Sequence, residues 1–315
     1  MRTMKALLGA LALVLVGPLF LSDAVAQQQP TAAKDKVLRG DAKCTTCHDE
    51  NWPKPILSIG QTKHGVMGDS RTPTCTSCHG DSESHMANPG AAKPDRTFTK
   101  HSETPVDARN EACISCHRGT ARTHWDGSPH QVNQVACSDC HQIHSPVDKV
   151  REKKTQAEVC FTCHREQRAD TMKISHHPIR EGKVVCSDCH NPHGSPGPSM
   201  VKKNTINETC WTCHADKRGP FLWEHQPVVE SCTNCHTPHG SSLTPLLTSR
   251  APWLCQSCHD GQHSSEVAIG PNAAGFQGGL RSTLNPSTSA VGRACLNCHS
   301  VIHGSNSPNG GYFQR

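Results

Sequence analysis

The chain has 315 residues, of which 34% are hydrophobic and only 4% aromatic, and it carries a formal net charge of +5. So little apolar surface excludes an ordinary globular core, while 20 cysteines and 23 histidines set the chain apart from a merely polar, disordered one. The mild positive charge points to no nucleic-acid partner, because the groups that the cysteines imply reverse it.

Residues 1–26 read as a secretory signal peptide, with Arg2 and Lys5, an apolar run from Ala6 to Leu21, and Ala24-Val25-Ala26 for cleavage. A membrane anchor is the competing reading, but Gly17-Pro18 interrupts the run, which is short of the roughly 20 residues that span a bilayer. No later stretch is apolar enough to cross lipid. Residues 27–315 are therefore expected to act after export, in the periplasm.

From Cys44 onward all 20 cysteines fall into ten Cys-x-x-Cys-His motifs, the attachment signature of c-type haem. Two cysteines three apart share one face of a helical turn, and the next residue, histidine, lies beside them. One turn thus grips a porphyrin through two thioethers and its iron through an imidazole. Disulfides or zinc ribbons would use paired cysteines too, but both leave the histidine after every pair unexplained.

Thirteen histidines remain outside the motifs, just above the ten needed if every iron takes a second imidazole. Their placement repeats with a period of roughly 45 to 50 residues, the mark of an array. In the first unit, about 41–106, Cys44, Cys47 and proximal His48 precede distal His64, and Cys75, Cys78 and proximal His79 precede distal His85. The second, about 107–153, runs Cys113, Cys116, His117, then distal His130, then Cys137, Cys140, His141, then distal His144. The third, about 154–203, runs Cys160, Cys163, His164, distal His177, Cys186, Cys189, His190 and distal His193. The fourth, about 204–249, runs Cys210, Cys213, His214, distal His225, Cys232, Cys235, His236 and distal His239. The last, about 250–315, runs Cys255, Cys258, His259, distal His263, Cys295, Cys298, His299 and distal His303. His101 falls between units; His130 is preferred to His124, and His177 to His176, by their distance to the next motif. Which distal histidine serves which iron is not readable, although one three residues after its own motif histidine cannot easily reach the opposite face of the same ring. Cross-ligation between neighbouring haems is the expectation.

Ten covalently bound haems would supply the missing core, so folding should depend on them as small metal domains depend on their metal. Loss of the signal peptide leaves +4, and propionates bring the oxidised holoprotein to about −6. The fold class expected is a multihaem cytochrome c with little regular secondary structure, short α-helices such as 157–164 and 207–214, and long loops wrapped around an elongated chain of ten haems. Residues 86–106 and 264–292 are the longer loops, the second either an insertion that touches a partner or a solvated spacer. With both axial positions filled an iron binds no substrate, so the chain reads as an electron-transfer protein and not an enzyme. Met67, Met86, Met172 and Met200 could ligate iron, but the histidine count makes them unnecessary.

The text between the motifs carries a resemblance. Cys-Ser-Asp-Cys-His-Asn-Pro-His-Gly-Ser at 186–195, Cys-His-Ala-Asp-Lys-Arg-Gly-Pro at 213–220, Leu-Trp-Glu-His at 222–225, Arg-Ala-Pro-Trp-Leu-Cys-Gln-Ser-Cys-His at 250–259 and His-Gly-Ser-Asn at 303–306 go beyond haem attachment. Over about residues 41–315 the chain resembles the MtrA/DmsE/MtoA-type decahaem cytochromes, the periplasmic halves of outer-membrane porin-cytochrome conduits. The resemblance favours His177 over His176, supports His130 and has no counterpart for His101. It implies an outer-membrane β-barrel porin as partner, with periplasmic electron-transfer cytochromes on one side and an extracellular multihaem cytochrome or reductase on the other. The implied role is electron conduction across the outer membrane, for extracellular metal reduction or ferrous iron oxidation. A polar chain cannot face lipid, so a barrel with a water-compatible lumen would have to insulate it. A soluble periplasmic electron shuttle is the alternative reading, and a multihaem reductase a third.

Overall fold

Where a helix carries a haem motif, the motif cuts it short, and the helices between motifs are no longer than these. The computed structural model describes residues 41–66, 68–259, 295–308 and 310–313, all within one unit spanning Lys36–Arg315. The expected signal peptide at 1–26, Met67, His263 and the 264–292 loop lie outside these residues. Among the described residues there is no extended strand, only isolated β-bridges, and no helix exceeds nine residues. None is long and apolar enough to cross a membrane.

The first motif of a unit rides on the C-terminal end of a helix, as on Val106–Ile114, Lys153–Phe161 and Ile206–Trp211. The expected helices at 157–164 and 207–214 thus begin earlier and stop before the motif histidine. His164 and His214 leave helical geometry with ψ of 67 and 52. At Ile206–Trp211 a capping box sets the start: Glu208 N–H donates to Thr205 Oγ1 and Thr205 N–H to the Glu208 carboxylate. The second motif is a single turn, Cys137–Cys140 or Cys186–Cys189. There the Asp of Cys-Ser-Asp-Cys reaches back, Asp139 to Ala136 N–H and Asp188 to Val185 N–H, satisfying a donor that the helix start leaves open.

The apolar side chains buried among the described residues are only Trp125, Ala136, Ala157, Phe161, Val185 and Val201. Buried polar residues are more numerous, so protein–protein apolar packing is not what joins the units. Backbone approach helps. Ser175 and Ser241 exchange N–H···O=C bonds of 3.0 and 2.8 Å, and Trp223 and Ser305 exchange a pair of 2.9 Å. Each such residue lies two positions from a distal-ligand candidate, His177, His239, His225 or His303.

The repeated Pro-His-Gly-Ser text has its reason here. A Cβ built on Gly240 would lie 1.9 Å from the Asp170 carbonyl oxygen, and one on Gly194 would lie 2.0 Å from that of His124. Backbone cannot yield as a side chain does, so Gly240→Ala is expected to destabilise the holoprotein by about 1–3 kcal/mol. Thermal unfolding checks it; an unchanged midpoint would mean that this approach is not needed.

Candidate functional site

Each described motif closes as one α-turn. The histidine N–H donates to the carbonyl of the first cysteine, from His48 to Cys44 at 3.0 Å through His299 to Cys295 at 2.9 Å. This holds both thiols and the imidazole on one side of the turn.

The rings then meet in pairs. His48 faces His85 with centroids 6.1 Å apart, His79 faces His144 at 6.2 Å, and His117 faces His64 at 5.8 Å. His141 pairs with His193 at 6.0 Å, His164 with His130 at 6.1 Å, and His190 with His239 at 6.0 Å. His214 pairs with His177 at 6.2 Å, His236 with His303 at 6.2 Å, and His259 with His225 at 6.0 Å. Two imidazoles on opposite sides of one iron, each bonded at about 2 Å and each ring centre roughly 1 Å further out, stand about 6 Å apart. Every pair joins one motif histidine to one of the distal candidates.

Hydrogen bonds orient the rings. Nδ1 donates to a backbone carbonyl in His79 (Arg96, 2.9 Å), His85 (Ala92, 2.8 Å), His130 (Pro192, 2.7 Å), His144 (Ile56, 2.6 Å) and His177 (Pro238, 2.8 Å). The same holds for His190, His236 and His299, bonded to Ser199, Pro245 and Tyr312. An engaged Nδ1–H leaves the Nε2 lone pair free for a metal, the usual outer-shell device at metal-bound histidine. Burial holds His48, His64, His193, His225 and His239 below the ordinary imidazole pKa, and the facing histidine pushes the same way. His193 is pushed down to about 4. Neutral imidazole is the ligating form.

A continuous channel of about 4910 Å³ has all 20 motif cysteines and all the paired histidines in its walls, together with His299. His101, His124 and His176 are not among its lining residues. His176 is engaged elsewhere, Nδ1 with the Lys173 carbonyl at 2.6 Å and Nε2 near Glu181 at 3.7 Å. Thiols of successive motifs neighbour one another: Cys44 with Cys75, Cys113 with Cys137, Cys160 with Cys186, Cys210 with Cys232 and Cys255 with Cys295 within units. Between units Cys78 neighbours Cys116, Cys140 neighbours Cys163, Cys189 neighbours Cys213 and Cys235 neighbours Cys258. The attachment sites therefore succeed one another in chain order. Paired rings, oriented Nε2 atoms and a channel lined by thiols fit c-type haem.

The pairing follows a rule that the spacing did not reveal. The first distal histidine of a unit reaches forward to the first motif of the next unit: His64 to His117, His130 to His164, His177 to His214, His225 to His259. The second reaches back to the second motif of the preceding unit: His144 to His79, His193 to His141, His239 to His190, His303 to His236. Each junction is thus crossed twice. His85, with no unit before it, turns inward to His48. A terminal repeat that satisfies itself is what an array needs at its end.

Several residues escaped the sequence reading. Asn110 accepts from Cys137 N–H at 2.8 Å and donates to the Val135 carbonyl; Asn207 accepts from Cys232 N–H at 2.7 Å and donates to Val228 and Val229. Gln156 accepts from Ser187 N–H, and buried Asp41 from Cys75 N–H. These side chains tie the two motif turns of one unit together. The signal was present as Asn-Glu-x-Cys, repeated at 110–113 and 207–210.

Comparison with known proteins gives the same picture. Residues 176–219 and 225–264 match the doubled CXXCH motif family, and residues 75–155 match the cytochrome c-type protein NrfB-like family. The chain is 42% identical over 283 residues to a protein named multiheme cytochrome MtrA from Shewanella baltica (strain OS185), covering 88% of this chain and 82% of that relative.

Proposed function

This chain belongs to the MtrA-type multihaem c-type cytochromes, electron-transfer proteins with covalently attached haem, and from that premise we propose that it conducts electrons across the outer membrane inside a β-barrel porin. Ten haems are attached through the ten motifs, and the nine ring pairs supply the axial ligands of nine of them. His263, the remaining distal candidate, lies outside the described residues. The haems supply one-electron exchange between ferric and ferrous iron. The protein contributes two imidazoles to each iron, which closes it to substrate, and fixes the succession of sites along the chain.

The observation that carries this reading is the interlocked pairing. It gives nine motif histidines a facing imidazole and links each unit to the next, one series instead of separate carriers. The export signal would bring the chain to the periplasm, the barrel partner would hold it at the outer membrane, and soluble periplasmic cytochromes would exchange electrons with its inner end. An extracellular multihaem cytochrome or reductase, metal oxides or ferrous iron would meet the outer end.

Liposomes loaded with a redox dye test this. With an external reductant, dye reduction is expected only when the cytochrome and its barrel partner are incorporated together. A cytochrome that stays soluble, exchanges electrons with periplasmic carriers and reduces no enclosed dye with the barrel present would leave the shuttle reading in its place.

A further inference from the structure

The second motifs hold their histidines in one common way, with one exception. His190 Nδ1 donates to the Ser199 carbonyl at 3.0 Å and His236 Nδ1 to the Pro245 carbonyl at 2.9 Å. In both units the chain doubles back after the motif, pairing His190 with Val201 and His236 with Leu247. The same return brings the Met200 carbonyl to Asn191 N–H and the Leu246 carbonyl to Thr237 N–H, each at 2.8 Å. His79 and His299 also use peptide carbonyls, those of Arg96 and Tyr312.

After His141 a side chain takes over both tasks. Asp148 Oδ2 accepts from His141 Nδ1 at 2.7 Å, and Oδ1 accepts from Gln142 N–H at 3.2 Å. One carboxylate stands where the next two units present two neutral carbonyls. Its side chain is only 18% exposed, and among the described residues no lysine or arginine side-chain nitrogen lies within 4 Å of its oxygens to neutralise it.

An imidazole whose Nδ1–H is shared with a carboxylate moves toward imidazolate, and its Nε2 becomes a stronger donor. Stronger donation and a nearby negative charge both favour ferric over ferrous iron. We propose that Asp148 is a tuning residue: acting through His141, it holds the haem at Cys137–Cys140 at a lower potential than those at the equivalent motifs, Cys186–Cys189 and Cys232–Cys235. The inference rests on reading His141 as an axial ligand. One electron is gained or lost at that iron, and no bond forms or breaks. Because Cys137 neighbours Cys113 and Cys140 neighbours Cys163, the tuned site lies inside the series, where electrons arriving from either end must pass it.

Asp148→Asn keeps an oxygen acceptor and removes the charge. Spectroelectrochemistry of the intact holoprotein at fixed pH is expected to show one haem moving to higher potential, with Asp148→Glu returning toward the wild-type value. His141→Ala is expected to convert one haem to high spin. No shift in Asp148→Asn, while His141→Ala still yields its high-spin haem, overturns the inference and leaves the ligation standing. A shift spread over several haems marks a structural role and overturns it too. His141→Ala with every haem still low-spin overturns the ligation and the inference together. Should Asp148→Asn fail to mature, Asp148→Ser poses the same question with a neutral acceptor.

Discussion

Produced without haem attachment, the mature chain is expected to show a coil-like far-ultraviolet spectrum, no cooperative melting and a collapsed amide proton dispersion. Three observations combine to require this. The longest helices among the described residues, Val106–Ile114 and Lys153–Phe161, have nine residues, below the 12 to 15 or so at which even good helix formers become marginal in water. Two alanines, two valines, one phenylalanine and one tryptophan make up the buried apolar side chains among the described residues, far too few to offset the ordering entropy of more than 200. The junctions between units rest on facing imidazoles that need a metal between them to attract. Without it, nothing draws the rings together: burial above all, with the facing ring acting in the same direction, disfavours charging His193 and His225, so two neutral imidazoles are left facing each other. Circular dichroism and a two-dimensional amide spectrum of cytoplasmically expressed protein lacking the signal peptide check the prediction. Well-dispersed resonances would show that the loops hold themselves together.

Much of this was legible in the sequence, for a reason specific to covalent haem. Attachment chemistry demands fixed residue types at fixed spacing within one helical turn, so Cys44–His48 or Cys295–His299 can be read without a fold. Counting free histidines against motifs then singled out a distal set, and the ring pairs at His64, His85, His130, His144 and their successors place those residues opposite motif histidines. The pairing itself was not legible. His144 follows His141 by three residues yet faces His79, 65 positions back, because the ring it can reach depends on how two units cross and not on its place in either. Helix limits were misjudged by several residues, since His164 and His214 leave helical geometry at the end of their motifs. Asn110, Asn207 and Asp148 went unnoticed because nothing in a haem signature calls for them. The repeated Asn-Glu-x-Cys marked the asparagines, but their work on the partner turn, and that of Asp148 on His141, shows only in the fold.

The adjacent pair His176 and His177 offers the sharpest test of the interlocked ligand plan. His177→Met is expected to place a thioether on one iron, raising its potential, since methionine–histidine ligation lies well above bis-histidine. The altered iron should belong to the Cys210–His214 motif, 33 residues downstream, because His177 faces His214 and its Nδ1 is held by the Pro238 carbonyl. It should not belong to the nearer motifs at Cys160 or Cys186. A raised site in a linear series is a trap: each ~59 mV of extra depth lengthens the electron's stay about tenfold. A well of roughly 120 mV would therefore slow passage through the whole chain about a hundredfold while leaving the other haems in place. His176→Met should change neither spectrum nor rate, as His176 bonds to Lys173 and lies beside Glu181. Potentiometry gives the raised haem, and flash-initiated transfer along the chain gives the slowing. To locate it, His177→Met can be combined with His214→Ala, which should be strongly non-additive, and with His164→Ala or His190→Ala, which should each add independently. Non-additivity with His164 instead would mean that the histidine serves its own unit, and the two crossings at the junction of the third and fourth units would lose the forward one.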